Sequence, residues 1–260
     1  MPEFLNQTTE GDVAAITLDR PDLHNAFNEV VIDELTAAFN EAGQRDDVRV
    51  VVLRAEGKSF CAGADINWMK RMVDYSFEEN VADANRMADM LRAIRECPKP
   101  VIARVHGAAI GGGVGLVAAC DMAVALTKAV FCLSEVKLGI IPAVISPFVL
   151  KKIGPGHMRR YALTAERFDA IEAQRIGLIS ETADTEPQLD EWITGIAEHI
   201  RANGPNAVTA AKQILTEVAG TDWNRIQDLT TRRIAELRVS PEGQEGLKSF
   251  LEKRNPNWRT

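Results

Sequence analysis

Apolar positions along this 260-residue chain follow two spacings in turn, and the switch between them divides it. Val13 to Asp19 reads as a strand, and a helical pattern follows Asn28, with Val31, Leu35, Ala38 and Ala42 on one face and Gly43 as its stop. Val48 to Leu53 is a valine-rich run, the mark of a strand buried on both faces. A long stretch of helical spacing passes through Met72, Met87, Met90, Leu91 and Ile94 to Pro98. Pro100 then opens a second buried strand, Val101 to Val105, which runs into a glycine cluster. Short strands are expected at Met122 to Leu126 and Val130 to Leu133. From about Ala143 onward the pattern predicts helices and no strands, punctuated by Gly154-Pro155-Gly156, Gly177, Gly204-Pro205 and Pro241. Alternation first and helices last predict an α/β core, residues 1–195, continuous with a helical C-terminal region, residues 196–260; no Ser- or Pro-rich linker separates them.

Composition narrows the class. Hydrophobic residues at 46% and charged residues at 26% match soluble globular chains and exclude disorder or repetitive scaffolds. Thirty Lys and Arg against 37 Asp and Glu leave a net charge of −7, and the pI is ≈ 5.3. That balance speaks against a nucleic-acid partner and still allows a local basic pocket for a phosphorylated ligand. The longest nearly apolar stretch, Gly107 to Cys120, falls short of the ~18 residues of a membrane span, so no membrane partner is expected. The opening Met-Pro-Glu-Phe-Leu-Asn carries no export pattern, and Cys61, Cys97, Cys120 and Cys132 form no C-x-x-C pair, so a reducing cytoplasm is expected. His24, His106, His157 and His199 form no metal-binding pair, and no metal is expected.

The densest glycine run, Gly111-Gly112-Gly113-Val114-Gly115, follows a buried strand and precedes an apolar helix. Without Cβ atoms the main chain can approach a ligand oxygen, and the helix would aim its positive end at the same point. No Gly-Lys-Ser/Thr follows, which excludes a P-loop. Gly113-x-Gly115-x-x-Ala118 fits a dinucleotide fingerprint, with Glu135 as the ribose ligand, but Asp121 and a further strand stand where that unit needs its crossover helix. Close packing of helix on sheet is the alternative use of these glycines. A second small-residue loop, Ser59 to Ile66, follows the strand at Val48 to Leu53, with Asp65 readable as a helix cap. Two such loops can each supply one N–H to a single oxygen, forming an oxyanion hole. Cys61 lacks any His or nucleophile-elbow partner and reads as a packed thiol.

Phe60-Cys61-Ala62-Gly63-Ala64-Asp65, His106-Gly107-x-x-Ile-Gly-Gly-Gly, Cys120-Asp121 and Ser134-Glu135-x-Lys-Leu-Gly-Ile-Ile-Pro together resemble the crotonase superfamily of enoyl-CoA hydratases and isomerases. The likeness runs from Ala14 to Glu252-Lys253-Arg254-x-Pro-x-Trp. It implies an α/β spiral of ββα units with C-terminal helices that mediate trimer or dimer-of-trimers assembly. It also implies that the backbone N–H groups of Ala64 and Gly112 hold the carbonyl oxygen of an acyl-CoA thioester, whose coenzyme A belongs to the substrate, with no separate cofactor. Ala62, Asp65, Ile66 and Gly111 are then expected along the substrate and CoA track. Phe250 and Lys253 match positions that in relatives reach a neighbouring subunit's CoA; a solvated amphipathic helix is the alternative.

Hydratases of that superfamily commonly carry one glutamate two residues beyond the glycine triplet and a second in the later loop. Here the first position is Gly115 and the second Glu135, so Glu135 is the evident acid/base. Asp65-Ile66-Asn67-Trp68-Met69, Phe131 to Val136, Pro142 to Phe148, Arg160 to Asp169 and Arg238 to Gly246 are similar to bacterial 3-methylglutaconyl-CoA and isohexenylglutaconyl-CoA hydratases of leucine and acyclic-terpene degradation, which share the glycine. The expected reaction is therefore hydration of a branched glutaconyl-CoA. Gly115 would make room for the branched chain, the substrate's distal carboxylate would take over part of the missing side chain's space, and that carboxylate calls for a cationic or amide partner, with Lys70, Arg71, Arg86 and Lys137 the cations nearby in sequence. The alternatives are a Δ3,Δ2-enoyl-CoA isomerase, a general enoyl-CoA hydratase, and a non-catalytic acyl-CoA binder. The Met series at 69, 72, 87 and 90 is expected to line the acyl pocket or the core.

Overall fold

The computed structural model describes residues 2–259. The chain opens with a hairpin, β1 (Leu5–Glu10) and β2 (Val13–Leu18), followed by α1 (Glu29–Gln44). Three strand-strand-helix units come next. The first is β3 (Val50–Ala55), β4 (Ser59–Cys61) and the helices α2 (Ile66–Met72) and α3 (Phe77–Glu96); the second is β5 (Val101–Val105), β6 (Ala108–Ile110) and α4 (Gly112–Ala119). The third is β7 (Met122–Leu126), β8 (Val130–Cys132), a 3-10 turn at Glu135–Leu138 and α5 (Ser146–Thr164).

Within each unit the first strand joins one sheet and the second strand joins another. β3, β5 and β7 lie in a six-stranded sheet of order β1-β2-β3-β5-β7-β10, while β4, β6 and β8 lie in a four-stranded sheet of order β4-β6-β8-β9. This arrangement is the ββα spiral. Every pairing from β2 through β7 in the large sheet is parallel, which requires both faces to be covered. α1, α3 and α4 cover one face through a core that includes Ile32, Leu35, Phe39, Leu91 and Val117. On the other face Val50, Val52, Ile102 and Val124 pack against Leu189, Ile193 and Ala197.

The remaining elements are β9 (Phe168–Asp169), α6 (Ala170–Arg175), β10 (Glu181–Ala183), α7 (Glu186–Arg201), α8 (Pro205–Ala219), α9 (Trp223–Val239) and α10 (Pro241–Leu251). β9 and β10 correct the expectation of helices alone after Ala143. They are two and three residues long, too short to show a period, and are recruited as sheet edges by β8 and β7. The expected division after residue 195 falls inside α7, whose Ile193 and Ala197 both belong to the sheet's second core. The chain leaves the core at Gly204-Pro205. Beyond it, α8 and α9 bury no residue of their own.

Other boundaries moved for local reasons. Gly43 does not stop α1, which runs on to Gln44. The long helical stretch before Pro98 is two helices, because Ser76 and Glu79 form a reciprocal capping box that starts α3 afresh. Gly154, at φ 71° and ψ 169°, breaks α5 at the expected punctuation.

Candidate active site

Three features meet at one cleft of about 580 Å³: the ends of β4 and β6, and the 3-10 turn after β8. Ala62, Gly63, Ala64, Gly111, Gly112 and Glu135 all line it. The loop after β4 is sewn to the segment before α1. Ala62 N–H donates to His24 O at 3.0 Å, Phe27 N–H to Gly63 O at 2.8 Å, and Asp65 N–H to Phe27 O at 3.0 Å. Asn25, buried and left-handed at φ 54°, donates to Glu56 O and Ser59 O and accepts from Arg20 N–H. Those bonds flank Ala64, whose own N–H has no acceptor among the described residues.

The second loop is shaped by missing side chains. Gly111 has φ 52°, and a Cβ on Gly112 would stand 2.2 Å from Phe27 Cζ, closer than any real contact. Gly112 opens α4, so its N–H is one of the helix's first, unpaired donors, and no acceptor for it exists among the described residues. Gly63, at φ 88°, brings the loops together: a Cβ there would lie 3.7 Å from Gly112 N. The positive end of α4, a helix buried at every position, points at the same place.

Glu135 opens the 3-10 turn beside this floor, with Oε1 3.2 Å from where a Gly111 Cβ would be. Its Oε2 is buried with no hydrogen-bond partner. Burial pushes its pKa up, and the bond from its own backbone N–H offsets only part of that. The result is a carboxyl that holds a proton more readily than an exposed glutamate, beside two free amides. A carbonyl oxygen held by those amides can accept the negative charge of an enolate while Glu135 moves a proton to or from the adjacent carbon.

The remaining expected residues separate into those at the cleft and those elsewhere. Asp65 is spent on structure. Its carboxylate accepts from Asn67 N–H and Trp68 N–H as the cap of α2 and pairs with Arg20 at 2.6 Å. Burial acts to raise its pKa, but those donors outweigh it and hold Asp65 below the usual carboxylate range. Ile66 projects into solvent at 70% exposure, outside the cleft lining. Phe250 and Lys253 stand at the end of α10, also outside the cleft of this chain. Cys61 is fully buried, and its thiol is pushed up to about 12 by desolvation, so it is a packing residue. Met69, Met72 and Met87 line the cleft; Met90 lies in the core.

Two expectations fail here. Gly115 opens no space to the acyl chain: a Cβ on it would stand 2.4 Å from Ile145 Cγ2, so Ile145 already fills the volume and itself lines the cleft. Nor does Lys70, Arg71, Arg86 or Lys137 reach the cleft. Arg71 pairs with Glu29 and Arg86 with Asp33 at 2.6 Å, both at the surface. The charged side chains lining the cleft are Glu135 and Asp83. Sequence reasoning missed Asp83, together with Arg20, Asn25 and Phe27, because each acts on a loop or cleft that comes from a different part of the chain.

Two free backbone donors beside a buried carboxyl suit a carbonyl oxygen, and comparison with known proteins names the family. The Enoyl-CoA hydratase/isomerase profile matches residues 8–260, and the chain belongs to that family of enzymes acting on enoyl-CoA thioesters. It is similar to an enoyl-CoA hydratase of Shewanella pealeana of known structure, at 43% identity and a TM-score of 0.95, covering 99% of this chain and 96% of that one. AtuE of Pseudomonas aeruginosa superposes with a TM-score of 0.96 at 35% identity, covering 99% of this chain and 100% of that one. The peroxisomal Δ(3,5)-Δ(2,4)-dienoyl-CoA isomerase of Arabidopsis thaliana is 32% identical over 98% of this chain and 96% of its own length.

Proposed function

We propose that this enzyme hydrates the α,β double bond of an enoyl-CoA thioester, with a branched glutaconyl-CoA as its substrate. The observation that carries the reading is the buried, unpartnered Glu135 Oε2 beside the free N–H groups of Ala64 and Gly112. Attack of water on the β-carbon, with loss of one of its protons to a base in the cleft, drives the π electrons onto the thioester oxygen, where the two amides hold the charge. Glu135 then protonates the α-carbon. The reading needs no metal or redox group, and coenzyme A enters as part of the substrate.

The chemistry of the lining decides where a substrate carboxylate goes. Inside the cleft it would face Asp83 and Glu135 across a largely apolar wall, which is unfavourable. Ala143 and Val144 separate the cleft from an adjoining cavity of about 780 Å³ lined by Arg92, Arg95 and Lys151 among others. The Nε of Arg95 is buried there without a partner. In this reading the acyl chain passes Val144 and its carboxylate meets Arg95. Assembly into trimers or dimers of trimers, with Phe250 and Lys253 reaching a neighbour's CoA, belongs to the same proposal. So does a cytoplasmic location, with which four buried free thiols agree.

The test is a panel of crotonyl-CoA, 3-methylglutaconyl-CoA, isohexenylglutaconyl-CoA and a 3-enoyl-CoA. Hydration of the two carboxylated esters in preference to crotonyl-CoA is expected, and Arg95→Met should erase most of that preference. Double-bond migration in the 3-enoyl ester with no hydration of any member would instead establish an isomerase.

A further inference from the structure

Gly115 leaves the hydration reading without a second carboxylate to hold the water, so Glu135 would have to serve both the water and the α-carbon unless another group in the cleft takes the water's proton. The structure shows a second carboxylate in the cleft. Asp83 lies on the α3 face that also carries Asn80, Ala84 and Met87, all lining the cleft. Met87, one helical turn on from Asp83, lies with its Cε 3.1 Å from where a Gly112 Cβ would be. Asp83 therefore stands about one turn, ~5–6 Å along the helix, from a side chain that touches the oxyanion loop. Glu135 packs against the neighbouring Gly111.

We propose that Asp83 holds and activates the attacking water, filling the role for which position 115 has no side chain. This rests on the hydratase reading above. A second observation marks the same spot as built for a ligand. The indole of Trp68 is 3% exposed, lines the cleft, and its Nε1–H has no hydrogen-bond partner. The indole N–H faces Asp83 and favours its charged form, leaving a donor and a carboxylate side by side in the cleft.

The surrounding charges do not give Asp83 a structural task. Arg86 and Arg71, which face it, are already paired with Asp33 and Glu29, and Asp83 itself forms no ion pair among the described residues; its one donor neighbour is the Trp68 indole. Burial is the largest influence on Asp83 and raises its pKa; the Trp68 indole and Arg86 draw it down, Glu29 adds to the rise, and Arg71 again lowers it. A carboxylate with a raised pKa is a better base than an ordinary surface aspartate.

The step balances as follows. The water oxygen bonds to the β-carbon as its proton passes to Asp83, and the π pair becomes an enolate on the oxygen held by Ala64 and Gly112. The enolate collapses by taking the Glu135 proton onto the α-carbon. Asp83 ends protonated and Glu135 ionised, and one proton passing between them through solvent restores the site.

Asp83→Asn preserves shape and removes the base. With wild type first shown to hydrate crotonyl-CoA or 3-methylglutaconyl-CoA, the variant should lose about 100-fold or more in kcat. Its affinity for a substrate thioester should stay within about threefold, and the acidic limb of the wild-type pH profile should disappear. Exchange of the α-protons of butyryl-CoA with deuterated water needs only Glu135 and the two amides, so Asp83→Asn should retain it while Glu135→Gln loses it. Hydration by Asp83→Asn within about threefold of wild type would overturn the proposal. Equal loss of hydration and exchange would overturn it too, by making Asp83 a structural residue. Failure of wild type to hydrate any ester would strike the hydratase reading itself, and retained hydration by Glu135→Gln would strike the assignment of Glu135.

Discussion

Residues 61–65 are tied largely by side chains elsewhere in the chain, whereas residues 111–113 take their shape from having none. In the first loop Arg20 and Asn25 reach across from the segment before α1, and Asp65 closes the turn as cap and ion-pair partner. In the second, glycines let Phe27 and the Cys61 carbonyl approach the main chain to distances that any Cβ would block, with Glu135 Oε1 packed tightly beside Gly111. Both designs end in one free N–H over the same cleft. The contrast teaches that a backbone donor can be held in place by polar ties or by packing alone, and that the two should fail differently when broken.

The largest effect should follow Gly112→Ala. The new methyl would stand 2.2 Å from Phe27 Cζ, so the donor itself must move. Loss of one oxyanion donor costs about 100-fold to 1000-fold in kcat, and steady-state hydration with substrate affinity measured in parallel should show that loss. In the polar loop, Arg20→Met removes the partner of a carboxylate whose side chain is 4% exposed. The cost should be about 2–4 kcal/mol in denaturant unfolding, below the fully buried limit because the Arg20 side chain is 15% exposed. The activity that remains should be nearer wild type than that of Gly112→Ala, because two cap bonds from Asp65 persist.

Those two variants also show what could be read in advance. The glycine loop announces itself, because Gly111 to Gly113 are contiguous and their chemistry is local. Glu135 is visible as an acid within a quoted motif. The ties of the first loop are not: Arg20 is 45 residues from Asp65 and Asn25 is 34 from Ser59, and no local pattern links such pairs. The four-stranded sheet was largely hidden too, since β4 and β6 are three residues each and pair only with each other and β8. Asp83 was hidden for a related reason. On a helix periodicity marks it as polar, and only the fold turns that polar position toward the cleft.

Gly115→Ala should separate packing from catalysis in the second loop. Its Cβ would press on Ile145 at 2.4 Å, away from the free amides. Overpacking of this kind costs about 1–3 kcal/mol, with kcat changed far less than in Gly112→Ala. A smaller effect should come from Glu135→Gln on stability. Because burial raises the folded-state pKa of Glu135 above its unfolded value, its ionisation opposes folding as pH rises. Stability associated with the neutral form is complete below the unfolded pKa and declines through the raised folded one. Wild type should therefore lose Tm relative to Glu135→Gln between acidic and neutral pH, and the two should converge in acid.

The infrared stretch of the thioester carbonyl in an enoyl-CoA bound to Glu135→Gln reports directly on the two amides, without turnover. Donation from Ala64 and Gly112 to one oxygen should shift the band to lower frequency than in free ester, and Gly112→Ala in the same background should return much of the shift. A band unmoved on binding would contradict the account at its centre.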